Sequence, residues 1–231
     1  MSRLRPSGFG GPGGDLALLR LLQLFDSQFP VGAFAQSGGV ETYAAIGGSL
    51  PELRQVLDAQ IDLGWGRSEL AAACLAWRAA GSTEEADALT RLARTLDALK
   101  VVPPVRDMSI GLGRRTLSLV RRLYPEVVCD LARPHHALVV GVVGRQLGVD
   151  VRALLVAFAQ SLAMGTVTAA LRCMPVSPAQ AQELLVEAHP RLIRAVDRAL
   201  EDPEASLFTC TPALDIRSQQ QIYLHTRLFQ S

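Results

Sequence analysis

The side chains from which chemistry would have to be built are four histidines, four cysteines and one serine set among glycines. His135 and His136 are adjacent, so on a helix their rings point about 100° apart, while His189 and His225 stand alone. Tight zinc or nickel binding needs several N or S donors converging, as a His-Glu-x-x-His helix supplies. No such spacing occurs, and the four histidines read as structural or solvated. Cys74, Cys129, Cys173 and Cys210 include no pair at the spacing of a zinc knuckle or a redox dithiol. They read as reduced thiols in helical cores. Ser37 lies in Ala35-Gln36-Ser37-Gly38-Gly39, which lacks the first glycine of a nucleophile elbow and has no strand before it. The glycine pair is followed by no Lys-Ser or Lys-Thr, so a nucleotide-binding P-loop is missing and any nucleotide chemistry belongs to a partner. The aspartate pairs that hold magnesium in all-α isoprenoid enzymes are absent as well. No catalytic, cofactor or metal residue is therefore assigned.

Charge gives a narrower hint. Arg114, Arg115, Arg121 and Arg122 form a basic strip, because seven residues is nearly two helical turns. The strip is either a solvated face or a dock for an acidic protein surface. Groove binding to DNA trails, since 23 basic and 22 acidic residues leave a net charge of +1 and give no general grip on a polyanion.

The elements that position these residues read as helices. Leu and Ala number 36 and 31 of 231 residues against 6 Ile, and aromatics make 5%, a mixture that favours helix over sheet. Residues 1–14 form a Gly-rich leader, expected to be flexible. Asp15 is placed to cap a helix whose buried face carries Leu18, Leu21, Leu22 and Phe25 up to Pro30. A short helix over 41–46 ends at Gly47-Gly48. Ser49 with Glu52 forms a capping box that opens a long helical stretch to Ala80, bent at Gly64 and Gly66. Ser82 with Glu85 predicts a second box, with Leu89, Leu92, Leu96 and Leu99 on one face before Pro103-Pro104. Further helices are expected around 112–123, over 136–148 and 151–173, behind the cap Ser177 with Pro178, and after Pro212. No strand alternation and no hinge appear. The chain reads as one all-α domain over 15–231, a bundle of about eight to ten helices.

Residues 153–171 carry no charge and approach the length that spans a bilayer. Gln160, Ser161, Thr166 and Thr168 argue against lipid, and the segment is expected to be the most buried helix of a cytoplasmic protein. Within it Ala153, Ala157, Ser161, Gly165 and Ala169 stand four apart, a small-residue stripe open to intramolecular packing or to a helix pair across a homodimer. The basic start of the chain and the run near Leu16 do not make an export signal, because Arg20, Gln23 and Asp26 interrupt it.

Two stretches look placed for contact. One is Phe29-Pro30-Val31-Gly32-Ala33-Phe34; the other is the ending Thr226-Arg227-Leu228-Phe229-Gln230-Ser231. Burying a Leu-Phe pair yields on the order of 3 to 5 kcal/mol before ordering costs, and Arg beside an aromatic is a common interface anchor. A tail tucked onto its own domain is the other reading.

These motifs resemble the UreF family of urease accessory proteins. The family pattern of a Leu-rich helix followed by Pro-Val-Gly-Gly-aromatic-Ser-x-Ser-x-Gly-Leu-Glu is similar to Leu21 to Leu24 followed by the stretch from Pro30 to Glu41, with Pro30, Val31, Gly32, Ser37, Gly39 and Glu41 fitting. The family's Ser-Ala-Ala-Val-Arg-Leu-x-Pro-Leu-Gly-Gln resembles the run from Thr168 to Pro178, with Arg172 and Pro175 fitting and Gln182 beyond. The ending Arg-Leu-Phe-x-Ser is intact as Arg227, Leu228, Phe229 and Ser231. Ser177-Pro178 departs from the usual Gly-Gln, and Gln221-Ile222 from a frequent His-Glu.

The resemblance implies a non-enzymatic adaptor that joins UreD (also called UreH) and the GTPase UreG to apo-urease for GTP-dependent nickel insertion. It implies no tightly bound cofactor, with nickel as transient cargo and GTP bound by UreG. A homodimer within the complex is expected, with no nucleic-acid or membrane partner. Partner-binding residues carried over are Pro30, Gly32, Ser37, Glu41, Arg172, Pro175, Arg227, Leu228, Phe229 and Ser231. Glu41 and Arg172 are the candidates for meeting the GTPase, and residues 226–231 are a docking tail for UreD. The rival readings are a helical ligand-binding or regulatory dimer and a hidden helical enzyme.

Overall fold

The low content of β-branched and aromatic residues carries through to the architecture. The computed structural model describes residues 12–32 and 38–224, and every regular element among them is helical. In order these are α1 (Pro12–Leu24), α2 (Val40–Ala45), α3 (Leu50–Leu63), α4 (Trp65–Ala79), α5 (Glu85–Leu99), α6 (Pro103–Leu123), α7 (His136–Gln146), α8 (Val151–Cys173), α9 (Pro178–Glu201), α10 (Pro203–Ser206) and α11 (Pro212–Gln220), followed by a 3₁₀ turn, Gln221–Tyr223.

Capping chemistry sets several of these boundaries. At α3 the Ser49 backbone N–H donates to Glu52 at 2.9 Å, completing the expected box. At α9 the Gln180 N–H donates to Ser177 Oγ at 3.2 Å and the Ser177 N–H donates to Gln180 Oε1 at 2.9 Å. This is a reciprocal box with Pro178 at the first helical position. The Ser82 box does not form. Glu85 instead accepts from the Gly81 N–H at 2.7 Å, so the carboxylate closes the preceding turn and α5 begins without a side-chain cap. α1 begins at Pro12, so Asp15 lies inside its first turn rather than at its cap.

The stretch from Leu50 to Ala79 is two helices rather than one bent one. A side chain at Gly66 would run into the Ile61 carbonyl oxygen, so glycine permits α4 to restart against the end of α3. α4 is the hub, packing against α3, α5, α7, α8, α9 and α10. Its closest neighbour is α7, at Gly141, where an added Cβ would meet the Ala73 carbonyl and the Ala76 methyl. α7 is therefore the most deeply covered helix, buried at every position from 137 to 144. This corrects the expectation for α8.

α8 is long and apolar enough to cross a membrane by length and composition, yet it serves the core through Leu154, Leu155, Phe158, Ala159, Ala163 and Val167. Its stripe of Ala153, Ala157, Ser161 and Gly165 is half-buried, and Ala169 is covered. The cysteines are also less uniform than expected: Cys74 and Cys129 are buried, Cys129 in a loop, Cys173 is half-buried, and Cys210 is exposed.

Candidate functional site

Three segments far apart in the chain meet at one end of the bundle. α2 packs on both α8 and α11, which brings the Glu41, Arg172 and Gln221 regions together. The turn before α2 depends on Gly39, at φ 91°, where an added Cβ would lie 2.9 Å from Ser218 Oγ of α11. No other residue allows both that left-handed backbone and that approach. A Cβ at Gly48 would similarly crowd the Tyr43 carbonyl and lie 3.2 Å from Met174 Cε.

Polar contacts hold the junction. Gln221 Nε2 donates to Glu41 Oε2 at 2.8 Å, and Thr42 Oγ1 donates to the Arg217 carbonyl at 2.9 Å. The Arg217 guanidinium stacks over the Tyr43 ring at 5.5 Å. Glu41 is only 5% exposed and Gln221 1%, so the amide supplies a hydrogen bond to a carboxylate whose burial would otherwise be costly. Beside them burial, reinforced by the Glu41 charge, pushes the Cys173 thiol up to about 11, which keeps it protonated and inert as a nucleophile.

This arrangement sorts the expected contact residues. Arg172 and Pro175 are exposed on the junction, as are Pro30 and Gly32 on the loop after α1. Glu41 is inside, so its carboxylate supports the face rather than lying on it. Ser37, Arg227, Leu228, Phe229 and Ser231 lie outside the described residues. Gln221, Thr42 and Ser218 were missed from sequence: Gln221 looked only like a departure from the family pattern, and its partner lies 180 residues away.

A cavity of about 210 Å³ lies between α3, α4, α6, α8 and α11 and reaches Val40 of α2, so it adjoins the junction. Glu69 and Lys100 form an ion pair on its wall, and Trp65, Ser109, His136 and Phe158 contribute. Burial would raise the Glu69 carboxyl, but the Lys100 ammonium outweighs it and the net direction is down. His136 packs edge-on against Phe158 at 5.4 Å, and burial lowers it to about 4. Among the described residues no three His, Cys, Asp or Glu side chains gather as a metal site.

Next to the cavity, His135 bridges Ser109 Oγ at 3.2 Å and Asp97 Oδ1 at 3.0 Å. The connectivity is that of an acid–base relay, but the setting is not. Ser109 is the seventh residue of α6, where helical hydrogen bonding occupies the backbone N–H that an oxyanion would need. Asp97 is also bound by Arg133. The cluster ties α5, α6 and the start of α7 together.

The profile of the UreF family matches residues 51–189. Over nearly the whole chain the protein is similar to the urease accessory protein UreF of Nostoc sp. (strain PCC 7120 / SAG 25.82 / UTEX 2576), 29% identical over 224 residues covering 94% of this chain and 97% of the relative. The UreF protein of Haemophilus influenzae (strain PittEE) is 29% identical over 222 residues, covering 91% and 94%. That of Marinobacter nauticus is 28% identical over 227 residues, covering 95% and 96%.

Proposed function

Because the chain belongs to the UreF family of urease accessory proteins, and so acts in urease maturation, we propose that it is a non-enzymatic adaptor of the cytoplasm. It links UreD and the GTPase UreG to apo-urease while nickel is inserted. UreG binds the GTP, nickel passes as transient cargo, and this chain contributes shape and contact surfaces, with a second copy of itself in the complex.

The observation that carries this reading is the junction of α2, α8 and α11. The segment around Glu41, the end of α8 around Arg172 to Pro175, and α11 with Gln221 converge on one end of the bundle. The buried Glu41–Gln221 contact lies beneath an exposed rim with Arg172 and Pro175. A scaffold with a preorganised rim is what an adaptor requires, since ordering costs met on folding need not be met again on binding.

Arg172→Ala tests it. In cells expressing the urease cluster, the variant should capture at least about fivefold less UreG than the wild-type chain, with a thermal midpoint within about 2 °C of it, as for a surface substitution. A lower midpoint with unchanged UreG capture makes Arg172 a structural residue and removes the rim from the interface.

A further inference from the structure

The outer face of α6 carries a concentrated run of basic side chains. α6 carries five arginines and one acid, Asp107, in a chain whose net charge is +1. Elsewhere Arg54 pairs with Glu187, Arg152 with Asp197, and the half-buried Arg191 with Asp58 and Asp62, while Arg91, Arg94 and Arg194 are exposed without an ion pair among the described residues, but not as a strip of four. On α6, Arg114, Arg115, Arg121 and Arg122 are all exposed, and among the described residues none of them forms an ion pair with a carboxylate. Arg115 Nε donates to the Val31 carbonyl at 2.6 Å and Arg121 to the Cys129 carbonyl at 2.7 Å, each leaving most of its five donors unused.

Among the described residues the strip borders an exposed apolar ridge. Tyr124 Oη donates to Gln23 Oε1 at 2.6 Å, and Arg20 of α1 stacks on the same ring at 5.4 Å. Together with the Arg115 contact to Val31, these place α1 and the following loop along the C-terminal half of α6. The outward side of α1 shows Leu16, Leu19 and Leu22, at 49%, 65% and 60% exposure, a run that normally marks a contact surface.

We propose that the α6 arginine strip, bordered by the α1 leucine ridge, docks an acidic face of a protein partner that presents apolar side chains beside its carboxylates. This rests on the adaptor reading and adds a second surface to it. Arg114 to Arg122 spans about 12 Å along the helix axis, the scale of a small carboxylate patch. The near-neutral whole chain supplies no extended field for a long polyanion, which favours a protein over nucleic acid.

The test is tagged capture of this chain from cells co-expressing UreD, UreG and apo-urease, with washes from 50 to 400 mM NaCl. R114E/R122E should lose about tenfold or more of one partner while keeping the others. R114K/R122K should retain that partner, with capture falling as salt rises. If R114E/R122E loses its helical circular dichroism, R114Q/R122Q carries the same comparison. Equal capture of all three by the charge-reversed chain overturns the surface and leaves the adaptor reading intact, as does a loss that salt does not affect. A wild-type chain that captures none of the three overturns the adaptor reading and this surface with it. Wild-type binding to duplex DNA or to phosphatidylserine vesicles, abolished in R114E/R122E while partner capture is unchanged, replaces the acidic protein by nucleic acid or membrane.

Discussion

At the scale of single residues, burial decides what each polar group can do. Glu41 and His136 are both acid–base side chains, one buried beneath the junction and the other half-buried on the cavity wall. Glu41 is held by Gln221 beneath the α2–α11 junction. His136 is lowered to about 4 by burial, against about 6.5 in an unfolded chain, so between those values the unfolded state binds the extra proton. Stability from this group is complete above about 6.5 and is lost as the pH falls towards 4. The loss is at most about 3 kcal/mol, because one pKa unit is worth about 1.4 kcal/mol. His136→Gln should flatten the fall in thermal midpoint between pH 7 and 4.5; an equally steep fall in the variant would place the sensitivity elsewhere. From spacing alone His135 and His136 read as structural or solvated. The sequence could not tell that His135 would bridge Asp97 and Ser109, since those partners lie 38 and 26 residues away.

At the scale of elements, local rules and close packing divide the work. The Ser49–Glu52 box was legible because both partners sit within one turn, and the Ser82–Glu85 box failed because Glu85 found the nearer Gly81 N–H. Glycines at helix ends were legible, as at Gly47-Gly48 and Gly64 with Gly66, but glycines that admit a neighbouring backbone were not. A Cβ at Gly113 would run into the Pro134 carbonyl oxygen, so α6 passes the loop before α7 at backbone contact. Gly113→Ala has to push that loop away. It should cost about 2 kcal/mol or more, as overpacking does, despite alanine's better helix propensity. Denaturant midpoints would show it, and a stabilised variant would mean that the loop gives freely. The same logic explains why α7, with its glycines at 141 and 144, is the innermost helix rather than the longer and more apolar α8. Close approach needs small residues where the partner sits, and Gly141 meets Ala73 and Ala76 of α4. α8 instead turns its small-residue stripe partly outward.

At the scale of the whole molecule, the proposed adaptor works by holding several surfaces in fixed relation. The α2–α8–α11 end and the α6–α1 face are built from elements that all pack, directly or through α4 and α7, on one core. A partner at one surface is then oriented with respect to a partner at the other. Removing residues 228–231 should abolish co-purification with UreD while UreG capture persists and the thermal midpoint moves by no more than about 2 °C, the response to losing an interface anchor rather than a core contact. Unchanged UreD capture would count against the docking tail.

The sequence by itself determined the helical class, most of the helix starts and the membership of the family, because composition, caps and short motifs act within a few residues of one another. Tertiary structure alone decided that Glu41 is a buried support, that Gln221 is its partner, and that α7 lies innermost. It also decided that the α6 arginines lie beside exposed leucines of α1. Each of these depends on residues brought together across tens to hundreds of positions, and in a bundle that juxtaposition is set by how closely backbones approach, which no local spacing encodes.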